Sequence, residues 1–164
     1  MPVYTLAEIR AALDRESHLL RLAGSKPRKV VLAHGCFDVC SISHVRHLEA
    51  ARQMGDILIV TVSQDQHVCK GPNRPVFSEQ DRAEMVAALK CVDYAAINEW
   101  PTAVETIKLL RPSIYVKGNE YRDKPTLALT AELDAIREVG GMLRFTNGPE
   151  QHTSEILKRM GAGS

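Results

Sequence analysis

Apolar runs alternate with amphipathic segments along most of the chain. Two runs rich in β-branched residues, VVLAH ending at His34 and ILIVTV over residues 57–62, predict buried parallel strands. Shorter apolar runs predict further strands at 93–97, 113–116 and 142–145. Apolar residues at helical spacing predict helices over 6–22, 44–54, 78–89, 102–110, 126–139 and from about Thr153 to Gly161.

The order of these elements predicts the fold class. Thr5 and Glu8 have the spacing of a capping box, and Gly24 is a stop signal for the first helix. Strands that alternate with helices indicate an α/β protein with a Rossmann-like, doubly wound parallel sheet of about five strands. No repeat or linker divides the chain, so we expect a single domain over residues 1–164. Within it, residues 1–27 are a helical extension, residues 28–158 are the core, and the terminal GAGS is expected to be disordered.

Composition narrows the class of protein. The 164 residues are 45% hydrophobic and 25% charged with a net charge of +1, which is typical of a globular protein and does not suggest nucleic-acid binding. Glu8 and Arg10 interrupt the N-terminal apolar pattern, and no run reaches the roughly 18 apolar residues of a membrane span, so we expect a cytoplasmic protein without a membrane partner. The cysteines match no zinc or disulfide framework and are expected to be reduced thiols, with no metal site: Cys36, Cys40, Cys69 and Cys91.

The loop after the first long strand is the main candidate for chemistry. The strand ends at Gly35, and a helix is predicted to begin near His44. Such a connection presents free backbone N–H groups and the positive end of a helix to a phosphate group. A plain structural turn between strand and helix has the same geometry, so the pattern alone leaves both interpretations open.

The identity of the residues favours the phosphate site. The segment GCFDVCSISHVRHLEAARQMGD resembles the signature of the cytidylyltransferase-like nucleotidyltransferases, G-[TC]-F-D-x-x-H-x-G-H followed by an amphipathic helix. The segments KGPNRPVFSEQDRAEMVAALKCVDY and RPSIYVKGNEY are also similar to this family, most closely to its adenylyltransferase domains of the ADP-heptose synthase type. The resemblance extends over about residues 28–158.

The resemblance implies transfer of a nucleoside monophosphate from ATP or CTP to a phosphorylated small molecule, with a sugar 1-phosphate as the leading acceptor. Pyrophosphate is released, and Mg²⁺ accompanies the nucleoside triphosphate. Because the attacking group is already an anionic phosphate, catalysis requires positioning and hydrogen-bond donors rather than a general base. The family often forms dimers, so a homodimer is a further expectation.

Four consecutive residues of the loop, Gly35 to Asp38, are assigned to nucleotide binding. Gly35 permits close approach of the backbone to the phosphates, and Cys36 lies beside it in the loop. Phe37 is expected to anchor the loop in the core, and Asp38 to hold the turn through backbone hydrogen bonds.

The HxGH motif of the family is SISH in this chain. His44 matches the second histidine and is assigned as a catalytic phosphate donor, whereas Ser41 replaces the first histidine and supplies a shorter, uncharged donor. Ser43 replaces the glycine, which predicts either strain at a positive φ or a helix cap. His34 and His47 are alternative donors, with ordinary packing as the competing interpretation.

Three cations lie in segments where the family places phosphate or substrate contacts. Lys70 is assigned a catalytic role, although the run before it is about two residues shorter than in the family. Arg74 and Arg82 are assigned to substrate binding. For Arg82, an ion pair with a structural carboxylate is an equally weighted alternative.

Two further segments complete the expected nucleotide site. Lys117, Gly118 and Asn119 end a strand, where an α/β sheet presents ligand contacts, and the family uses this turn near the nucleotide base. Thr153 and Ser154 match two hydroxyls of an STT-x-I element that binds triphosphate at a helix N-terminus, and a plain helix cap is compatible with the same residues. The departure from HxGH leaves an alternative function open, a non-catalytic nucleotide-binding regulator or scaffold derived from the family.

Overall fold

The computed structural model describes residues 2–122 and 126–147. The predicted final helix, the terminal GAGS, and the candidate residues Thr153 and Ser154 lie outside the described residues.

Strands and helices alternate through the described residues. The strands are β1 Val3–Tyr4, β2 Val30–Gly35, β3 Ile57–Ser63, β4 Tyr94–Asn98, β5 Ile114–Gly118 and β6 Met142–Thr146. The helices are α1 Leu6–Leu22, α2 Ile42–Arg52, α3 Glu79–Ala87, α4 Val104–Leu110 and α5 Leu127–Glu138, and short 3₁₀ turns occur at Asp65–His67 and Asn119–Tyr121.

The strands form one parallel sheet in the order β1-β4-β3-β2-β5-β6. From β2 the chain moves outward through β3 to β4, then returns to the other side of β2 and continues through β5 to β6. The direction of winding therefore reverses between β2 and β5, whose pairing runs from Val31 opposite Ile114 to Ala33 opposite Val116. Ligands of open α/β sheets bind at such a switch point, beyond the carboxyl ends of the strands.

Helices cover both faces of the sheet. Helices α2 and α3 pack on one face through residues such as Leu48 and Val86, and α1, α4 and α5 pack on the other through Ile9, Ile107 and Ile136. The central strand β3 has six consecutive buried residues. This run contains apolar residues on both faces, because both faces of a doubly wound sheet are covered by helices.

The fold class and all five predicted strands are confirmed, and the structure adds one strand. Strand β1 has only two residues, and it pairs with β4 at the edge of the sheet, Val3 opposite Ala95. The predicted capping box of α1 is present, since the Glu8 backbone N–H donates to the Thr5 side chain and the Glu8 carboxylate accepts from the Thr5 backbone N–H. Helix α2 begins at Ile42, two residues before the predicted start, because Ser41 is its N-cap residue.

Candidate active site

The candidate site lies at the switch-point crevice, which we define as the space beyond the carboxyl ends of β2 and β5. Strand β2 ends at Gly35 and β5 ends at Gly118. The loop of residues 36–41 leads from β2 into α2, so the N-terminus of α2 also faces this edge of the sheet. The loop after Gly35 and the segment that contains Lys117 and Gly118 are about eighty positions apart in sequence. Fold topology therefore brings them to neighbouring strand ends.

Phe37 anchors the loop, as its apolar side chain suggested. It is 5% exposed and adopts a left-handed backbone conformation with φ of 49°, which is uncommon for a residue other than glycine. Its ring packs edge-on against the His44 ring, with centroids 5.7 Å apart. A Cβ atom at Gly35 would lie 3.1 Å from the Phe37 ring, so glycine at this position leaves room for the aromatic anchor.

His44 has its tautomer fixed by the start of α2. The Ser41 backbone N–H donates to Nδ1 of His44 at 3.1 Å, and the Ser41 Oγ lies 2.9 Å from the same nitrogen. A backbone amide is only a donor, so Nδ1 must be unprotonated and the neutral ring carries its proton on Nε2. Burial lowers the pKa of His44, and the positive charge of Lys70 lowers it further. At neutral pH the residue is therefore a neutral donor through Nε2–H.

The two serines of SISH have different local roles from those expected. Ser43 does not have a positive φ, so the predicted strain is absent, and Ser41 rather than Ser43 is the cap residue. The Ser41 hydroxyl lies 2.7 Å from the Ser43 hydroxyl and 2.9 Å from Nδ1 of His44. In this arrangement Ser41 supports the donor geometry of His44, and direct donation from Ser41 to a phosphate stays a prediction.

Asp38 connects the loop to the segment that precedes α3. Its buried carboxylate accepts a charge-assisted hydrogen bond from Nε of Arg74 and a bond from the Val76 backbone N–H at 2.6 Å. Burial alone would raise the pKa of Asp38, but these hydrogen bonds and the arginine charge hold it below its usual value. Within residues 2–122 and 126–147, Nη2 of Arg74 is buried and has no hydrogen-bond partner. Nε of Arg74 is thus bound to Asp38, and Nη2 is available to an acceptor.

Arg82 joins several segments near the end of β2. Its side chain is fully buried and donates to the carbonyl of Cys36, to the Ser63 carbonyl at 2.8 Å, and to Oδ1 of Asp65 at 2.5 Å. Nε donates to the Phe77 carbonyl at 3.0 Å. These contacts are those of the structural alternative considered for Arg82, and a contact with substrate stays a prediction.

Lys70 lies on an exposed loop beside the site. Its positive charge lowers the pKa of His44 and opposes the burial that raises the pKa of the Cys36 thiol. The assignment of Lys70 to the phosphate region stays a prediction.

Lys117 is buried near the end of β5, at the edge of the crevice. It is 8% exposed, and its Nζ lies 3.2 Å from Oε2 of Glu132 on α5. The ammonium also lies 5.1 Å from the Tyr115 ring centroid and 5.2 Å from that of Tyr121. Burial lowers the pKa of Lys117, whereas Glu132 and Glu120 oppose this by stabilising its charged form. Glu132 is not predictable as a site residue from the sequence, because its position in a helical pattern gives no sign of burial.

The two alternative histidines are engaged by neighbouring hydroxyls. Nδ1 of His34 lies 3.0 Å from Oγ1 of Thr61, and Nδ1 of His47 lies 2.6 Å from Oγ1 of Thr146. Burial and the charge of Lys117 lower the pKa of His34 to about 3. Burial and the charges of His44 and Lys117 lower the pKa of His47 to about 4. Both rings are neutral at physiological pH, so neither supplies positive charge to a phosphate.

Gly118 and Asn119 form the exit from β5. The carboxylate of Glu120 folds back over Gly118, where a Cβ atom would lie 2.1 Å from Oε2. Among the described residues, Oδ1 of Asn119 is buried without a hydrogen-bond partner. An unpaired buried acceptor is costly, so this oxygen is suited to a ligand N–H group.

The described residues contain neither a metal-binding cluster nor a membrane-spanning helix. In the part of the chain that the structure describes, no group of three or more histidine, cysteine or acidic side chains is arranged to hold a metal ion. Over the same residues, no helix combines the length and apolar character needed to cross a membrane.

Comparison with known proteins shows which protein family the chain is similar to. The profile of a family described as cytidylyltransferase-like matches residues 32–159, which is most of the chain. The bifunctional protein HldE of Syntrophotalea carbinolica is 34% identical over 145 residues, covering 87% of this chain and 29% of the relative. HldE of Campylobacter jejuni subsp. doylei is 39% identical over 159 residues, covering 96% of this chain and 33% of the relative. The chain thus spans about a third of the length of these curated relatives.

Solved structures agree on the fold. A lipopolysaccharide core biosynthesis protein from Thermoplasma volcanium superposes with a TM-score of 0.61 at 25% identity, covering 76% of this chain and 99% of that protein. A pantothenate synthetase from Thermus thermophilus superposes with a TM-score of 0.55 at 16% identity, covering 93% of this chain and 63% of that protein, which is a likeness of fold alone.

Proposed function

The chain belongs to the cytidylyltransferase-like family of nucleotidyltransferases, and from this premise we propose that it transfers a nucleoside monophosphate from ATP or CTP to a phosphorylated small molecule. The leading acceptor is a sugar 1-phosphate, and the second product is pyrophosphate. The nucleotide lies across the switch-point crevice, with its phosphates at residues 35–44 and its base toward residues 117–119.

The observation that carries this proposal is the fixed tautomer of His44. Because the Ser41 backbone N–H occupies Nδ1, the ring presents Nε2–H as a donor at the N-terminus of α2. Positive charge from Lys70 reaches the same ring. A neutral donor, a helix N-terminus and a lysine together form a site for phosphate oxygens.

The residues act by positioning and by stabilising charge. An oxygen of the acceptor phosphate attacks the α-phosphorus, the bond from that phosphorus to the bridging oxygen of the β-phosphate breaks, and pyrophosphate leaves with the bonding electrons. His44 donates through Nε2–H to a phosphate oxygen, and Lys70 balances the negative charge of the triphosphate. The acceptor is already ionised, so no residue has to remove a proton from it.

Mg²⁺ is proposed to enter with the nucleoside triphosphate. The carboxylate of Asp38 is occupied by Arg74 and by the Val76 N–H, so it is not free to serve as a metal ligand. Phosphate oxygens would therefore supply the principal ligands, and the ion would neutralise charge on the leaving pyrophosphate.

The test is a matrix of incubations scored for pyrophosphate. The purified chain is incubated with Mg²⁺ and either ATP or CTP, with and without each of a set of sugar 1-phosphates, and binding of each nucleotide is measured separately by calorimetry. The proposal predicts pyrophosphate that requires both an acceptor and one of the two nucleotides.

If the chain binds a nucleotide but releases no pyrophosphate with any of the acceptors, the result would instead support the non-catalytic alternative. The replacement of the first family histidine by Ser41 is the observation that favours this second candidate, because its hydroxyl is directed to His44. Homodimer formation is a separate proposal, which sedimentation of the purified chain tests.

A further inference from the structure

Glu132 is a buried carboxylate with a complete set of partners. It is 3% exposed, on the face of α5 that packs against the sheet. Oε1 accepts from the Ala103 backbone N–H at 3.0 Å. Oε2 accepts from the Tyr115 hydroxyl at 2.9 Å and lies 3.2 Å from Nζ of Lys117. One side chain on α5 thus contacts the start of α4 and two residues of β5.

This arrangement is not explained by packing alone. Burial of two charges requires good geometry to offset desolvation, and apolar residues of similar size often give equal or greater stability. The neighbouring buried positions of α5, Ala135 and Ile136, are apolar and belong to the core. Glu132 therefore places a negative charge among apolar core positions, where it pairs with Lys117 in addition to accepting from the Ala103 N–H and the Tyr115 hydroxyl.

The charge that Glu132 faces lies at the site. The ammonium of Lys117 is held between Glu132 and the rings of Tyr115 and Tyr121. Glu132 is its only ion-pair partner within the described ranges 2–122 and 126–147. An ammonium has three N–H donors, so donors remain for another acceptor. Its charge also lowers the pKa of His34 and of His47.

We propose that Glu132 is a positioning residue for the nucleotide: its carboxylate holds the Lys117 side chain in place near the end of β5, at the edge of the switch-point crevice. The inference rests on the proposed function, because it concerns how Lys117 contributes to nucleotide binding. Glu132 does not itself contact the nucleotide.

The proposal predicts a change in the titration of Lys117. Glu132 opposes the lowering of the Lys117 pKa by burial, so removal of its charge lowers that pKa further. Lys117 then loses its proton, and its positive charge, at a lower pH. Glu120, His34 and His47 also face Lys117, as do the rings of Tyr115 and Tyr121. Burial and Glu132 both raise the pKa of the two tyrosines, so the substitution lowers those two pKa values as well.

The experiment compares Glu132→Gln with Glu138→Gln. Glu138 is on the same helix, but its side chain is 65% exposed and pairs with Lys108 at the surface. The Lys117 ammonium is titrated by NMR in protein labelled at the lysine ε-carbon, and Kd for ATP and CTP is measured over a range of pH. Turnover is measured at saturating nucleotide.

For Glu132→Gln we expect Lys117 to titrate at lower pH and nucleotide binding to weaken by about tenfold at neutral pH, the scale of one charge-assisted contact. As the pH rises, Glu132→Gln also loses nucleotide binding at a lower pH than the wild type does. Its kcat at saturating nucleotide changes little. Glu138→Gln leaves all of these quantities unchanged. An unchanged Lys117 titration or an unchanged Kd in folded Glu132→Gln overturns the proposal.

A conservative variant keeps the test available if Glu132→Gln does not fold. Glu132→Asp retains the charge on a shorter side chain, so Lys117 still titrates close to its wild-type pH while nucleotide binding is weakened by misplacement. Equal Kd values for Glu132→Asp and the wild type overturn the positioning role. Wild-type protein that binds neither nucleotide overturns the proposed function itself, which is distinct from wild-type binding that Glu132 does not affect.

Discussion

Replacement of His44 by alanine removes a single hydrogen-bond donor from the proposed phosphate site. Nδ1 is already occupied by the Ser41 backbone N–H at 3.1 Å, so Nε2–H is the only donor that the ring offers to a phosphate. Loss of one preorganised donor to a developing charge typically costs a factor of about 100–1,000 in kcat, or about 3–4 kcal/mol. The ring packs against the edge of Phe37, so the free energy of unfolding should fall by only about 1 kcal/mol.

Pyrophosphate release at saturating substrates measures the effect on kcat, and denaturant unfolding measures the effect on stability. His18→Ala is the matched control, because His18 is exposed on α1. Full turnover by His44→Ala would refute the donor role. A large loss of stability would show that the side chain belongs to the core.

The hydrogen bond from the Ser41 backbone N–H to Nδ1 of His44 also sets the direction in which activity depends on pH. Protonation of His44 turns Nδ1 into a donor that opposes the Ser41 backbone N–H, so activity should fall as the pH drops through the His44 pKa. Burial and Lys70 place this pKa below the usual 6.5. Lys70→Met removes one of these causes and should move the acidic limb of the pH profile to higher pH. A limb that does not move would contradict the interaction of Lys70 with His44.

Three further outcomes follow from the structure. The free energy of unfolding should fall as the pH decreases from 6.5 toward 4, because His34 has a pKa of about 3 when folded but gains a proton in the unfolded chain. His34→Asn should reduce this slope, by up to about 1.4 kcal/mol per pH unit. Ser41→His combined with Ser43→Gly should raise pyrophosphate release by about a hundredfold if SISH is a weakened HxGH, and a slower double variant would show adaptation to another acceptor. Arg82→Lys should lower the free energy of unfolding by about 3 kcal/mol, because an ammonium does not reproduce the forked contacts, and thermal denaturation would test this.

Local sequence signals were sufficient for most of the fold. The runs VVLAH and ILIVTV predicted β2 and β3 because strands buried on both faces are continuously apolar. Strand β1 was missed because two residues, Val3 and Tyr4, are too few for any periodicity to be detected. The start of α2 was placed late because the pattern did not show that Ser41, rather than Ser43, adopts the extended conformation of a cap.

The site was only partly predictable, for a physical reason. Residues close in sequence, such as Phe37 in the loop and His44 in α2, are brought together by local structure, and the motif resemblance identified them. Contacts between distant segments depend on how the sheet is assembled. The link from Asp38 to Arg74 and the pair formed by Lys117 and Glu132 arise only when the strand ends and helices have packed.

The most direct test of the account is a crystal structure of the chain with Mg²⁺ and a non-hydrolysable analogue of whichever nucleotide binds. We expect the triphosphate to lie in the switch-point crevice, with a phosphate oxygen within about 3 Å of Nε2 of His44, the usual distance for such a hydrogen bond. The Ser41 backbone N–H should still donate to Nδ1. A triphosphate bound elsewhere, or a His44 ring turned so that Nε2 faces away from every phosphate oxygen, would contradict it.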